Sequence, residues 1–579
     1  MLDMPASYRI ATRGRTTLLR EVGVGLLFLA VSVGLTRPLA ERMRTATLAK
    51  PDAAIYVWEV NWLSGHLLRP RELFEGNIFV PTRHAALFSD LALGTALLVA
   101  PLRPLLRDPV ALYNASVLVT LAFGAWGFHR LVFALTGHFA ASLLAGLLAA
   151  FGSHQLLHVY QLGLVNIGFL ALFLAALHRL FERPRRWGVG AALVGAAFAL
   201  NGLSSAYHAV AAAVLALAFA AGHGRLLRSR DVALACGSSV LVALLLMAPY
   251  LWAFAWLQRT EELERPREAS VQQAFHPPED LQSDAYVYRS VLGNEGQRLF
   301  PGVACLLLAS YACLRRAPAW GVYVTGALAL LLLSLGPELD LAGRKVLLPY
   351  AALFAVRPFN ALMHPYSFAA VARLCLCVLA GMGLAAAAHD GPGIRMIALV
   401  IGLAEVWSPG TAVRDIPPGV PAIYASLDSL PAGAALEIPI ESPDAMIWAA
   451  RHGRPVVNGR GGVTPVMHWR LEQWMRRDWL RPIEDGERPD LDDTRAMRQL
   501  LRLPAVYVIV PAERSPSLAP LAESLDRSRF FARVPGTPGS DVLYRRTDVT
   551  GMSPASRLLG EPWRTTRSRE PVLPVEEGP

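Results

Sequence analysis

Two acids stand where a mostly apolar chain could put them to work. Asp52 lies in the stretch Lys50-Pro51-Asp52-Ala53-Ala54-Ile55-Tyr56-Val57-Trp58-Glu59-Val60-Asn61-Trp62-Leu63, in which Ile55, Trp58, Trp62 and Leu63 recur at helical spacing. A short amphipathic helix carrying two tryptophans belongs at a membrane interface, where indole rings settle. A carboxylate at its start has two uses. It can cap free backbone N–H groups, or it can serve as a general base on an acceptor hydroxyl or amide at the lipid–water boundary. Asp90 follows Phe88-Ser89 and opens an apolar segment. It suits a helix N-terminus, and a second acid near Asp52 also suits metal binding or the orientation of a phosphate-linked donor.

A polar cluster reads Ser153-His154-Gln155-Leu156-Leu157-His158-Val159-Tyr160-Gln161. His154 and His158 share a helical face that Gln161 extends. Such a pair can bind zinc, but no Glu follows the first histidine as in metalloproteases, which leaves a solvated patch or the polar lining of a site. Arg357, in Val356-Arg357-Pro358-Phe359-Asn360, and Arg373 sit near a membrane surface. Guanidinium forks there suit a phosphate, and snorkelling explains the same positions. A loop over 258–298 carries His276, Asp280, Asp284, Tyr286, Tyr288 and Arg289, a solvated surface or a segment able to close over a substrate. The chain has no P-loop, no G-x-S-x-G and no C-x-x-C. The metal content is unknown: no cofactor is certain, and a divalent metal beside Asp52 and Asp90 stays open.

The elements that must position these groups are membrane spans. Of 579 residues, 54% are hydrophobic and only 17% charged, well below the quarter expected of a soluble protein. Twelve apolar segments lie near 21–36, 88–106, 110–135, 139–152, 155–180, 188–204, 205–222, 232–257, 299–314, 319–336, 366–389 and 394–408. Residues 409–579 hold 22 Arg and 22 Asp and Glu, so the formal net charge of +10 belongs wholly to the apolar part. That excess fits the positive-inside rule and gives no reason to invoke nucleic acid. Arg103/Arg107, Arg183/Arg185/Arg186, Arg225/Arg228/Arg230, Arg315/Arg316 and Arg395 are expected on the cytoplasmic side. With both 107 and 183 inside, three segments between them are one too many. The 14-residue stretch 139–152, about 21 Å long against a core of roughly 30 Å, is expected not to span. About 11 transmembrane helices over 21–408 then leave a cytoplasmic N-terminus at 1–20, outside loops at 37–87, 258–298 and 337–365, and an outside C-terminus.

After Ser408-Pro409-Gly410 the period changes. β-like runs at Ala435–Ile440, Pro455–Val457, Ala505–Val510 and Val542–Tyr544 alternate with helical stretches at Val466–Trp479 and Thr494–Leu503. The pattern predicts a small C-terminal extracytoplasmic α/β domain over 409–553, followed by a disordered tail at 554–579 rich in Pro, Arg and Glu. The five cysteines, Cys236, Cys305, Cys313, Cys375 and Cys377, fall in apolar segments and read as small buried hydrophobes. Lys50 and Lys345 are the only lysines beside 53 arginines, a base-composition effect that points to a GC-rich bacterial genome.

Taken together, these stretches resemble the GT-C glycosyltransferases, and more closely a group of bacterial mannosyltransferase-like and YfhO-like membrane proteins. The likeness is carried by Asp52…Trp58…Trp62, Leu73-Phe74…Asn77-Ile78-Phe79…Pro81, Ser89-Asp90, His154…His158…Gln161, Leu299-Phe300-Pro301-Gly302, Leu348-Pro349-Tyr350 and Leu379-Ala380-Gly381-Met382-Gly383. In the tail it continues through Leu436-Glu437-Ile438-Pro439 and Gly453-Arg454-Pro455-Val456-Val457-Asn458-Gly459. The resemblance implies an inverting sugar transfer at the outer face of a bacterial inner membrane. The donor would be a polyprenyl-phosphate-linked sugar, and the acceptor an extracytoplasmic lipid, glycan or protein. Asp52 would match the family's catalytic acid and Asp90 a position usually acidic there. His154, His158 and Gln161 would be polar lining, and Arg357 and Arg373 are our own candidates for phosphate contacts. Two departures stand out: Asp52 is followed by two alanines where many relatives pair acids, and Arg357-Pro358-Phe359-Asn360 replaces an Arg-x-Pro-x-Arg-Phe-like stretch. The rival readings are a lipid or glycan transporter, which would tolerate Asp52→Ala, and a non-catalytic scaffold of envelope assembly, whose tail alone would retain binding.

Overall fold

Apolar side chains arranged all round a helix must be covered by other helices or by lipid, and both solutions appear here. In the computed structural model the described residues are 18–182, 187–224, 229–260, 263–264, 274–293, 296–341, 343–356, 359–387, 392–503, 505–536 and 539–547. Residues 1–17 of the expected cytoplasmic N-terminus, the expected tail at 554–579, the basic clusters Arg183/Arg185/Arg186 and Arg225/Arg228, and Arg357 lie outside them. Among the described residues six helices are long and apolar enough to cross a membrane: Leu18–Leu35, Pro109–Thr136, Phe139–Leu157, Leu162–Glu182, Arg230–Thr260 and Tyr366–Ala386. Five shorter apolar helices join them at Leu93–Leu102, Gly188–Gly202, Ala206–Gly222, Val303–Leu314 and Trp320–Ser334. Pro109–Thr136 is the central column. Asp108 caps it by accepting from the Val110 and Ala111 N–H groups at 3.0 and 3.1 Å, Pro109 opens it, and Gly137, at φ 68°, closes it. Leu18–Leu35 and Arg230–Thr260 turn most of their residues outward, with Leu26, Leu244, Leu245 and Trp252 exposed.

The contacts and helix lengths depart from the expected topology at two places. Arg103 donates from Nη1 to the Asn61 carbonyl at 2.6 Å, to Asn61 Oδ1 at 3.0 Å and to Ser64 Oγ at 3.0 Å. Asp108 pairs with Arg451 of the C-terminal region at 3.0 Å. Residues 103–108 therefore lie at the same end of the bundle as the first loop and the tail, not at the opposite end as the charge rule suggests. The segment expected to cross at 88–106 contains a helix of only about 15 Å, Leu93–Leu102, followed by Pro104. Its arginine is used to satisfy polar groups near the end of another helix instead of marking a membrane side. Conversely, the stretch 139–152 does not stand alone. It continues after a break at Gly152 as Ser153–Leu157, giving 19 residues, about 28 Å of helix.

The tryptophan-bearing helix, Ala53–His66, also differs from expectation. Ala53 through Val60 are all buried, and the helix is clasped between Pro109–Thr136 and the tail helix Asp444–His452 instead of lying on a membrane surface. Trp58 Nε1 donates to Asn77 Oδ1 at 2.7 Å, and the Trp58, Trp62 and His66 rings stack in sequence.

The tail contains a four-stranded sheet in the order Ala434–Glu437, Ala505–Val510, Val542–Arg546, Phe531–Arg533. The first pair is parallel and the others antiparallel. Its core gathers Leu436, Val457, Leu471, Trp479, Leu500, Val508, Leu525 and Tyr544. The expected run at Pro455–Val457 supplies only a bridge, Ala435 to Val456, and Phe531–Arg533 is a strand the pattern did not announce. This region is sewn to the first loop. Ala46–Leu48 pairs antiparallel with Val413–Asp415. Phe79 N–H donates to the Asn458 carbonyl at 3.0 Å, Val80 N–H to Val456 at 3.1 Å, and Val463 N–H to Phe88 at 3.0 Å. Asn77 Nδ2 reaches the Ala449 and Arg454 carbonyls at 2.9 and 3.1 Å.

Candidate functional site

Beneath this seam lies a cavity of about 640 Å³ whose lining includes Asp52, Tyr56, Ser89, Asp90, Gln161, Tyr207, Tyr250, His364, Tyr366, Glu441, Arg460 and Glu472. Three parts of the chain build it: the first loop, the ends of the apolar helices, and the tail. Met247, Leu251, Phe254 and Leu257 form an apolar wall, and they belong to the outward-facing helix Arg230–Thr260.

Asp52 occupies the N-cap position of Ala53–His66 without acting as a cap. Its backbone is helical, at φ −68° and ψ −16°, and its side chain makes no capping hydrogen bond to the helix. The carboxylate instead meets Arg460 Nε at 3.3 Å. Asp90 is not a cap either. The N–H groups that follow it are taken by others: Ala92 donates to Glu59 Oε1 at 2.9 Å and Leu93 to the Leu203 carbonyl at 3.3 Å. The Asp90 carboxylate thus faces the cavity, with no hydrogen bond or ion pair among the described residues, and burial pushes it up to about 6.

Glu59 holds this turn from behind, and the helical spacing of its neighbours did not single it out. It is 0% exposed; Oε1 receives the Ala92 N–H and Oε2 meets Ser89 Oγ at 3.2 Å. Burial raises it to about 8 in spite of those two bonds, with the Asp90 charge adding to the rise. It is therefore mostly protonated at neutral pH. An acid inside the apolar run Val57-Trp58-Glu59-Val60 was the available signal, because such a residue must find partners when its helix is buried.

The remaining expected site residues divide. Gln161 lines the cavity, and its buried Oε1 has no hydrogen-bond partner among the described residues. His154 and His158 do not line it; they stack on each other with centroids 4.3 Å apart. His154 Nδ1 bonds the Gln297 carbonyl at 2.9 Å and His158 Nδ1 the His154 carbonyl at 3.0 Å. His158 backs the site, its ring lying 6.2 Å from that of Tyr366. Arg373 is likewise absent from the lining. Its guanidinium is buried against the Leu148 and Ala149 carbonyls, at 3.1 and 3.0 Å, and against Gln155 Oε1. It braces the break after Phe139–Phe151, where the last carbonyls of a helix need donors. It also stands where a side chain at Gly152 would begin. Sequence reasoning missed Glu441, Arg460 and Glu472. Burial pushes the Glu472 carboxyl up, and neighbouring Glu441 adds to the rise.

Among the described residues no group of three or more His, Cys, Asp or Glu could hold a metal ion. Asp52 and Asp90 do not belong to such a set. A larger cavity, about 1140 Å³, opens elsewhere in the bundle beside Glu21, Trp126, Arg130 and Leu193. It is mostly apolar, its Glu21–Arg130 pair closes on itself at 2.7 Å, and it has no part in the acid-lined site.

Fold and site together define a helical bundle of membrane type, with an acid-lined cavity closed on one side by an α/β sheet region. No protein-family model matches the chain, and no curated protein matches it. Among solved structures it is similar to the arabinofuranosyltransferase AftD from Mycobacteria, at 14% identity and a TM-score of 0.49 over 92% of this chain. This chain spans 42% of that protein's length. It is also similar to ArnT from Cupriavidus metallidurans, at 12% identity and a TM-score of 0.47, covering 92% of this chain and 99% of that one. A third likeness is to the Archaeoglobus fulgidus oligosaccharyltransferase, at 13% identity and a TM-score of 0.45, covering 87% and 71% of the two chains.

Proposed function

We propose that this chain is a GT-C-type membrane glycosyltransferase of a bacterial inner membrane. It transfers a sugar from a polyprenyl-phosphate-linked donor to an extracytoplasmic lipid, glycan or protein. The observation that carries the reading is the convergence of Asp52 and Asp90 on one cavity with an apolar wall on an outward-facing helix. A polyprenyl chain can reach such a cavity from lipid, and a polar acceptor can reach it from water beside the tail. Four tyrosines, Tyr56, Tyr207, Tyr250 and Tyr366, line it, and their apolar rings with polar tips suit a sugar.

In this reading the acceptor hydroxyl or amide attacks the anomeric carbon as the bond from that carbon to the phosphate oxygen breaks. The configuration inverts, and polyprenyl phosphate leaves with the electron pair. Asp52 takes the acceptor proton, a contribution worth about 10²–10⁴ in rate. Asp90, ionised above about pH 6, accepts hydrogen bonds from donor hydroxyls, and Glu59 and Ser89 hold it in place. Gln161 offers its unpartnered carbonyl oxygen to the same substrate. The chain then spans the bilayer with its N-terminus cytoplasmic and 409–553 outside.

The test is transfer in proteoliposomes from labelled polyprenyl-phosphate sugars to a membrane-extract acceptor, with the anomeric configuration of the product determined. An inverted product supports the reading. A retained configuration overturns the single-displacement chemistry. Lipid or glycan movement across the bilayer with no transfer from any donor replaces the reading with a transporter.

A further inference from the structure

An anionic donor has to be received by a cavity whose described lining includes the acids Asp52, Asp90, Glu441 and Glu472 and one arginine, Arg460. A phosphate is repelled there unless a cation meets it. Arg460 stands in Gly459-Arg460-Gly461-Gly462, and the loop is fixed on both shoulders. A Cβ at Gly459 would run into the Phe79 ring, and one at Gly461 into the Phe88 carbonyl oxygen. The backbone bonds Phe79 N–H to Asn458 and Val463 N–H to Phe88 pin the same stretch to the first loop. The tail thus presents an arginine to the cavity wall through close backbone approaches that only glycine allows.

What Arg460 touches is the candidate base. Its Nε lies 3.3 Å from Asp52 Oδ1, and the two side chains are 41% and 36% exposed. A pair this open to water is weak and readily exchanged. Among the described residues its terminal Nη groups make no hydrogen bond, so the guanidinium can offer the parallel N–H pair that phosphate oxygens prefer.

We propose that Arg460 is the phosphate contact for the lipid-linked donor and that the Asp52–Arg460 pair is a resting lock on the base. Donor phosphate draws the guanidinium away and frees the Asp52 carboxylate for the acceptor proton. The inference rests on the transferase reading above. It assigns a donor-binding role to the C-terminal region and couples release of the base to donor binding.

The test is binding of farnesyl monophosphate, with farnesol as the uncharged control, to the full chain in neutral detergent. Wild type, Arg460→Ala, Arg460→Lys and Asp52→Asn are compared by titration calorimetry, with thermal unfolding run beside them to confirm folding. Arg460→Ala should weaken phosphate binding about tenfold or more, as expected for losing a charge-assisted pair. Arg460→Lys should recover part of the loss. Asp52→Asn should tighten binding several-fold, because the competing carboxylate is gone, and farnesol should be indifferent to all three. Equal binding of the phosphate by wild type and a folded Arg460→Ala overturns the contact. Asp52→Asn binding no tighter than wild type overturns the lock. If wild type binds no prenyl phosphate, the transferase reading falls as well, an outcome distinct from both.

Discussion

Replacing Glu59 by glutamine is expected to stabilise the protein at alkaline pH. Its carboxyl is raised from the ordinary 4.5 to about 8 by burial. The folded chain therefore keeps a proton that the unfolded chain has lost, throughout the window between those values. Where the folded state binds more protons, stability falls as pH rises. The contribution is fully present below pH 4.5 and is lost as pH climbs through about 8. At roughly 1.4 kcal/mol for each pH unit between the two values, the loss across the window is about 5 kcal/mol, most of it already incurred at neutral pH. Glutamine fits the same partners: its Oε1 can accept the Ala92 N–H, and its amide can donate to Ser89 Oγ, replacing the carboxyl proton. Glu59→Gln should therefore flatten the pH dependence. Its unfolding temperature should exceed that of wild type by a margin that grows with pH. Glu59→Ala, which strips two buried partners, should be destabilised by about 2–4 kcal/mol at acid pH, and its deficit against wild type should shrink as pH rises, because it too lacks the carboxyl. The assay is thermal unfolding in detergent from about pH 5 to about pH 9, with the three proteins in parallel. Parallel curves for wild type and Glu59→Gln would refute the reasoning, since Glu59 would then carry no excess proton.

Single residues carry three further expectations. Asn77→Ala removes the acceptor for Trp58 Nε1 and the donor to Ala449 and Arg454; it should cost about 2–4 kcal/mol and expose the 454–464 stretch to protease first, as limited proteolysis would show. Arg373→Met leaves the Leu148 and Ala149 carbonyls without their guanidinium partner. It should lower stability by about 3 kcal/mol while leaving farnesyl phosphate affinity unchanged, whereas a phosphate-binding role would move the affinity. The rate of transfer should fall below about pH 6 as Asp90 takes up a proton, and Asp90→Asn should be slow throughout and lack that limb in its pH–rate profile.

Of the acids that line the cavity, Asp52 and Asp90 were legible because each stands at the start of a largely apolar helical stretch, whereas Glu441 and Glu472 lie in the polar tail and carried no such signal. What the linear pattern could not hold was pairing at long range. Arg460 reaches Asp52 through a glycine loop that packs against Phe79 and Phe88, and no local period encodes that meeting. Arg103 misled for a related reason. The positive-inside rule counts a charge without knowing whether a partner claims it, and this guanidinium is held by Asn61 and Ser64. Trp58 and Trp62 looked interfacial because aromatic residues at helical spacing are as consistent with a helix packed on two sides as with one at a membrane surface. The strands at Ala505–Val510 and Val542–Arg546 were legible from their β-branched and aromatic runs. Phe531–Arg533 was too short to show a period.

In the proposed transferase Asp52 removes the acceptor proton, a step that single-turnover transfer from a labelled polyprenyl-phosphate sugar would isolate. Wild type and Asp52→Asn would be compared at matched unfolding temperature and saturating donor. Asparagine keeps the size and cannot take the proton, so the rate should drop by about 10²–10⁴ while the donor remains bound. A rate equal to that of wild type, with donor bound, would contradict the assignment of the base at this cavity.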